Sequence, residues 1–528
     1  MNTPDIANPL PGFTGFLGGL RVLEIGNELG EYCGKVLAGL GADVVRVEPT
    51  TGETTRGYGP FYRDRPDPNR SLYFWHYNLG KRSITLDLET VAGCDDLRGL
   101  MAQADVVIES RPRGYMADRS LDYEAISAVN PGLIFSRISR FGDTGPWADY
   151  ASSDLVHLAL GGVMMNCGYD PDPTGFYDTP PIAPQMWHSY HITGELAAIS
   201  VVGALVYRLT SGRGQYLSTS VHGAVSQSTE IDIPNWLLLR QPHRRLTCRH
   251  SMPAATGTSL SMTKDGRFLL PYRTYTRAGQ NVWENTVEML KDFNAQADLE
   301  DPEYNTTYRN TPEASDRITQ LVDRLVMRYK FDRDLWRDAQ EHKLAWAPIR
   351  RPEENLSDPH WHLRGTFVEV EHPELGESFT YSGAKWRTEG MEWSGTRRAP
   401  LVGEDSDAVR RDWAAAPIRH EKRHVTEGVR RGAHARPEPF ALAGVRVIDL
   451  GWMLASAGAG RFLSAMGAEV IKVEHESHWD GMRFSSTPCP PGGRAERDVA
   501  TGPIATPEWD GPNRSGVFMD INAGKLGM

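Results

Sequence analysis

The strongest constraint on this chain is a stretch of sequence that occurs twice. LGGLRVLEIG at Leu17–Gly26 returns as LAGVRVIDLG at Leu442–Gly451, and GKVLAGLGADVVRVE at Gly34–Glu48 returns as GRFLSAMGAEVIKVE at Gly460–Glu474. Farther on, SLYFWHYNLGK at Ser71–Lys81 is answered by SGVFMDINAGK at Ser515–Lys525. Matched blocks in the same order mark a repeated supersecondary unit, and such a unit buries its apolar face only against a neighbour. The second copy holds the opening blocks alone, which predicts an unfinished sheet with an open edge. The tail is therefore expected to be mobile or protease-sensitive, or to associate with a chain that supplies the remainder.

Each copy opens with a β-branched run, a glycine-containing stretch of helical period and a second β-branched run. That pattern is a β-α-β unit, because parallel strands need a crossover helix and their apolar runs imply burial on both faces. Further strand candidates at Ser83–Leu88, Asp105–Glu109 and Leu133–Ser136 alternate with helical segments at Val91–Ala104 and Asp122–Val129. The fold class predicted is α/β: a doubly wound, Rossmann-like parallel sheet, a second smaller mixed domain, and the start of a second α/β repeat at the C-terminus. In residue ranges, 1–225 form the large domain, 226–340 the small one, 341–413 a return to the large domain, 414–440 a linker and 441–528 the truncated repeat. The first turn reads Gly26-Asn-Glu-Leu-Gly30-Glu and lacks G-x-G-x-x-G, so no nicotinamide cofactor is expected.

Composition narrows the classes further. A formal net charge of -11 disfavours a nucleic-acid role, which relies on a surplus of Lys and Arg on one face. The five cysteines (Cys33, Cys94, Cys167, Cys248 and Cys489) are odd in number and lack paired spacing, against both a disulfide framework and a structural zinc site. His188 and His191 have the spacing of one helical turn but no third ligand nearby, and His243, Cys248 and His250 lie in a basic loop, so no metal is expected. No membrane span or signal peptide is read from the sequence, and a cytoplasmic location is expected.

The segment LIFSRISRFGDTGP at Leu133–Pro146, preceded by Asn130-Pro131, resembles the signature of the class III CoA-transferases. That family includes the carnitine, formyl and bile-acid CoA-transferases and the α-methylacyl-CoA racemases. Three more segments agree: NLGKRSITLDL at Asn78–Leu88, SGRGQ at Ser211–Gln215 after a small-residue helix (Ile192–Leu209), and WAPIRRPEENLSDPHWHLRGTF at Trp346–Phe367 with HPELGE at His372–Glu377. The late His360 and His362 belong to that last pattern. The similarity runs from about Leu17 to Trp413 and resumes at Leu442.

The resemblance implies transfer of CoA between an acyl-CoA and a carboxylic acid, with acyl-CoA as substrate and interlocked dimers as the assembly. In the family, an Asp at the mouth of the small-residue helix attacks the thioester and passes through an anhydride to an aspartyl-CoA thioester. Its position falls on Tyr190, or on Ser189 with one residue of slack, so the nucleophilic Asp is absent from the first copy and its catalytic residue is left open. The racemase His position, just before Asp154, is Ser153. For CoA itself, the resemblance points to Glu28 and Leu29 in the first β-α turn, to Pro49 after the second strand, and to Ser110 and Arg111 after the fourth. Arg113 and Arg119 add positive charge there, since guanidinium groups hold phosphate in a bidentate manner.

Three readings follow. The chain is a fused transferase with one degenerate repeat and an incomplete second; or a non-catalytic acyl-CoA-binding or scaffolding subunit; or a CoA-thioester enzyme of altered chemistry using Asp154, His188, Tyr190 or Glu195. A partner chain that completes the second repeat fits the first two.

Overall fold

The computed structural model describes residues 15–172, 174–229, 231–251, 258–272, 281–309, 311–383, 385, 397–415, 440–484, 487–490, 492–504 and 511–528. The chain divides into two compact units, Met1–Val163 with Ala183–Gln241 and Leu363–Met528, and Met164–Ile182 with Pro242–His362. The segment 341–362, expected with the large domain, thus lies in the smaller unit.

The first unit is built on β1 (Arg21–Ile25), β2 (Asp43–Glu48), β3 (Arg82–Thr85), β4 (Val106–Glu109), β5 (Ile134–Ser139) and β6 (Tyr216–Ser220). They form one sheet in the order β3-β2-β1-β4-β5-β6 with every neighbouring pair parallel. This is the doubly wound order, which places ligands beyond the carboxyl ends of the strands where the winding reverses, between β1 and β4. Helices α1 (Glu28–Gly39), α2 (Leu72–Tyr77), α3 (Val91–Met101), α4 (Tyr123–Ser127), α5 (Asp154–Leu160), α6 (His188–Ser211), α7 (Val221–Ser226) and α8 (Asp232–Leu239) complete the run. α6 is long and apolar enough, by composition, to cross a membrane, yet Ala197, Ala198, Val201 and Ala204 along it are buried in the core. It lies directly on α1, because a Cβ at Gly194 would meet the Cys33 nitrogen and the Tyr32 Cβ at 2.9 Å. Only hydrogen fits there.

Charge is buried beneath this sheet in paired form. The Lys81 ammonium donates to Glu24 Oε2 at 2.7 Å, to the Glu31 carbonyl at 2.9 Å and to Asn78 Oδ1 at 2.9 Å. Arg46 binds both Glu24 and Glu31, and its second nitrogen reaches the Gly26 carbonyl at 3.1 Å. Removing one member would leave an uncompensated buried charge, which costs about 3–5 kcal/mol.

The smaller unit has an antiparallel sheet of β7 (Ser261–Met262), β8 (Phe268–Pro271) and β9 (Trp346–Pro348). With it go α9 (Val282–Asp292), α10 (Thr306–Arg309), α11 (Pro312–Val326), α12 (Leu335–Glu341) and α13 (Pro359–Leu363). Ile318, Val322, Leu325, Leu335 and Trp346 are part of its core. The chain then re-enters the first unit with the hairpin β10 (Phe367–His372) and β11 (Glu377–Ser382), followed by α14 (Ser406–Ala415), whose buried Trp413 donates to Asp43 Oδ2 at 2.7 Å. Most of the expected linker, 416–439, lies outside the described residues.

In the second copy, β12 (Arg446–Asp449), α15 (Ala455–Ala465), β13 (Glu469–Lys472), α16 (Gly493–Val499), α17 (Gly516–Ile521) and β14 (Leu526–Gly527) give a parallel sheet in the order β12-β13-β14. Several of its contacts repeat those of the first copy. Lys525 donates to Asp449 Oδ2 at 2.7 Å, to the Ala457 carbonyl at 2.7 Å and to Asn522 Oδ1 at 2.8 Å, as Lys81 does to Glu24, Glu31 and Asn78. Lys472 takes the place of Arg46 on the Gly451 carbonyl at 2.8 Å, and Arg483 lies 3.7 Å from the Phe518 ring as Arg56 does from Phe74. Among the described residues no strand pairs with the outer edge of β12, and Ile448 in this strand is 56% and Leu450 just after it 76% exposed.

The tail is docked on α8 and the residues after it. Ile504 exchanges backbone and side-chain bonds with Leu239 (2.7 Å) and Gln241 (2.6 Å), Thr487 donates to Asn235 Oδ1 at 3.3 Å, and Ile231 packs on Met482, Val517 and Ile521. The expectation of a mobile, protease-sensitive or partnered tail did not include this surface.

Candidate active site at the mouth of α6

α6 begins without a cap of its own. Its N-cap residue, Trp187, makes no side-chain cap bond, and Asp154 supplies the missing acceptor from α5: Oδ1 takes the Ser189 backbone N–H at 2.9 Å and the Ser189 hydroxyl at 2.5 Å. Asp154 is thus committed to holding the helix start. Tyr190, at the position the family resemblance assigns to Asp, is 3% exposed, and its ring stacks on Trp187 at 5.5 Å between centroids. Burial raises its phenol, and the Glu28 and Asp154 carboxylates add to the shift. It remains a neutral phenol at physiological pH.

Around this stack stands an aromatic wall. Trp187 stacks on Tyr58 at 6.1 Å and meets Tyr73 edge-on at 5.5 Å. Tyr58 donates to Glu28 Oε2 at 3.4 Å. Burial raises Tyr58 to about 12, with help from that carboxylate. Glu28 is the first residue of α1, whose start is held by Asn27 Oδ1 accepting from the Leu29 N–H at 3.3 Å. Burial lifts the Glu28 carboxyl above the usual carboxylate range, and the neighbouring Glu31 charge adds to it.

On the other side of the helix start lies a cationic cluster. His191 stacks on Tyr32 at 4.3 Å and shares a 2.7 Å hydrogen bond with the Tyr77 hydroxyl. Burial lowers His191 to about 4, so the ring is neutral, and His188 with Lys35 adds to the effect. Lys35 and His76 are hydrogen-bonded at 3.1 Å, and Lys385 bridges Glu195 and the Tyr32 hydroxyl. His188 lies 6.2 Å from His191 between ring centroids, and among the described residues no three His, Cys, Asp or Glu side chains are grouped to hold a metal.

The CoA candidates fall at the carboxyl ends of β1, β2 and β4, and Leu29 is buried while Pro49 is half-buried. The buried Ser110 accepts the Asn27 N–H at 3.1 Å, joining the loops after β1 and β4. Close packing makes glycine necessary beside it, because a Cβ on Gly26 (φ +147) would lie 2.0 Å from Ser110 Oγ. The three arginines already have acidic partners: Arg111 binds Glu53 at 2.7 Å, Arg119 binds Glu89 at 2.7 Å, and Arg113 binds Asp149. Arg111 and Arg119 both approach the Tyr115 ring, at 5.8 and 3.8 Å, whereas Arg113 is exposed. Sequence reading missed Lys35, Tyr58, Tyr77 and Lys385 because nothing in their local patterns separates them from core or surface residues. His360 and Trp361 line a cavity of about 470 Å³ within the smaller unit, where Arg350 is paired to Asp358 at 2.6 Å.

The profile of CoA-transferase family III matches residues 17–406 and 442–528. Succinate–glutarate CoA-transferase of Agrobacterium fabrum is 31% identical over 67% of this chain and 85% of its own length. The BbsE subunit of succinyl-CoA:(R)-benzylsuccinate CoA-transferase from Thauera aromatica is 29% identical over 74% of this chain and 92% of its own length. Among solved structures, a CAIB/BAIF family protein from Brucella suis superposes with a TM-score of 0.63 at 26% identity, covering 76% of this chain and 100% of that one.

Proposed function

Because the chain belongs to CoA-transferase family III, we propose that its first copy transfers CoA between an acyl-CoA and a carboxylic acid at the mouth of α6. The observation that carries this reading is the meeting of the α1 and α6 first turns, with Glu28, Tyr58, Trp187 and Tyr190, at the end of the parallel sheet where such folds bind ligands. The CoA phosphates are held by Arg111 and Arg119, with Arg113 at the rim and the pantetheine running past Glu28, Leu29, Pro49 and Ser110. Neither nicotinamide nor metal enters the reaction. The names of the relatives, which handle succinyl-CoA, favour a short dicarboxylic acyl group as donor.

The chain carries two copies in tandem and works in the cytoplasm as a dimer or with a partner chain that docks beside β12. The exposed Ile448 and Leu450 support such a partner. A second reading, a non-catalytic acyl-CoA-binding or scaffolding subunit, draws on Tyr190 standing where a carboxylate is required. The two separate in one assay. Incubated with succinyl-CoA and isotopically labelled succinate, the chain is expected to move label into the CoA ester; saturable binding of succinyl-CoA without label exchange would favour the second reading.

A further inference from the structure

The carboxylates at the carboxyl end of the sheet are nearly all neutralised. Glu24 is bound by Arg46 and Lys81, Glu31 by Arg46, Glu48 by Arg56, Glu53 by Arg111 and Glu109 by Arg137. Glu28 is different: among the described residues it forms no ion pair, and its one hydrogen bond to another side chain is the long 3.4 Å contact from Tyr58. It is half-buried, so it is screened from bulk water yet open to a ligand. Its place is set by the crossing of α1 on α6 at Gly194, which brings the first turn of one helix to the first turn of the other. Tyr58, which donates to Glu28, stacks on Trp187, and Trp187 stacks in turn on Tyr190, so one aromatic wall joins the carboxylate to the residue that occupies the family Asp position.

Resting on the transfer reading above, we propose that Glu28 is the catalytic nucleophile of the first copy, taking over from α1 the role that the residue at 190 cannot perform. A Glu28 oxygen attacks the thioester carbonyl carbon; the C–S bond breaks and CoA leaves as thiolate, giving a mixed glutamyl anhydride. The thiolate then attacks the glutamyl carbonyl, forming a glutamyl-CoA thioester and releasing the acyl group as free carboxylate. The acceptor acid reverses the two steps: its carboxylate displaces CoA to form a new anhydride, and CoA attacks the acceptor carbonyl, regenerating Glu28. No oxidant or proton donor is consumed. An unpaired, partly desolvated carboxylate suits this part, since a salt bridge would hold its electron pair and a full hydration shell would have to be stripped. Tyr58 and Trp187 keep water from the thioester, which would otherwise be hydrolysed.

The test traps the intermediate in the full chain. Succinyl-CoA is added, followed by sodium borohydride, which reduces a glutamyl thioester to the primary alcohol, and the peptides are mapped by mass spectrometry. The modification is expected on Glu28, in the peptide that spans the start of α1, and is expected to vanish in Glu28→Gln together with label exchange from succinate into succinyl-CoA. Label exchange with the modification on another carboxylate, such as Asp154 or Glu195, or exchange surviving in Glu28→Gln, would overturn the assignment while leaving the transfer reading intact. Absence of both exchange and adduct in the unaltered chain would overturn both.

Discussion

Lys35 is a buried residue whose charge state is sensitive to pH. Burial, together with the Lys385 and Lys81 charges, lowers it from an ordinary value of 10.5 to about 7, and its hydrogen-bond partner His76 is itself lowered to about 3 by burial and by Lys35. A lowered folded-state value means that the group's contribution to stability is complete above the unfolded value and is lost as pH falls through the folded one. The window therefore runs from about 10.5 down to about 7 and below. Lys35→Met is expected to be more stable than the parent at about pH 6 by a few kcal/mol, with the advantage shrinking toward pH 10. Urea unfolding at both values checks this; an advantage independent of pH would show that Lys35 is not buried as a charge. Residues of this kind are invisible in the sequence, where GKVLAGLG reads as one amphipathic helix and gives no hint that Lys35 faces His76 and Lys385. Glu28 was within reach through the family pattern, though only as a lining residue; its nearness to Tyr190 depends on the helix crossing at Gly194, which joins positions far apart in the chain.

At the scale of elements, the doubled β-α-β was legible because the two periods, alternate residues in strands and every third or fourth in the helix, survive in both copies along with Gly26, Lys81 and their counterparts. The ends of the elements were less so. The expected strand at Ser83–Leu88 is observed at Arg82–Thr85, and the helix expected from Ile192 starts at His188 because Asp154, on another element, caps it. The docking of the tail was not legible at all, since IDIPNWLLL carries no mark of a partner more than two hundred residues away. Its consequence is testable. Trypsin is expected to cut at Arg419, Lys422, Arg423, Arg430 or Arg431, in the stretch read from sequence as a linker, yet the two fragments should travel together on gel filtration, held by the bonds of Ile504 and Thr487 to α8. Separation of the fragments would mean that these contacts are too weak to hold the second copy in place.

For the whole molecule, the balance of charge sets what it can bind. A chain with a net charge of -11 offers a cofactor with three phosphates such as CoA few places, and Arg111 and Arg119 flanking Tyr115 after β4 are one that combines cations with an aromatic face. Both arginines are already held by carboxylates, Glu53 and Glu89. CoA phosphates must displace or share those partners, which costs little at the exposed Glu89 and more at the buried Glu53. The account stands on the first copy being a working acyl-CoA site, and calorimetric titration of CoA into the full chain measures that directly. Saturable binding is expected, weakened by roughly one to two decades in Arg111→Ala or Arg119→Ala, as the loss of a charge-assisted phosphate contact of about 1.5–3 kcal/mol requires. No binding by the parent, or equal binding by the parent and both variants, would contradict it.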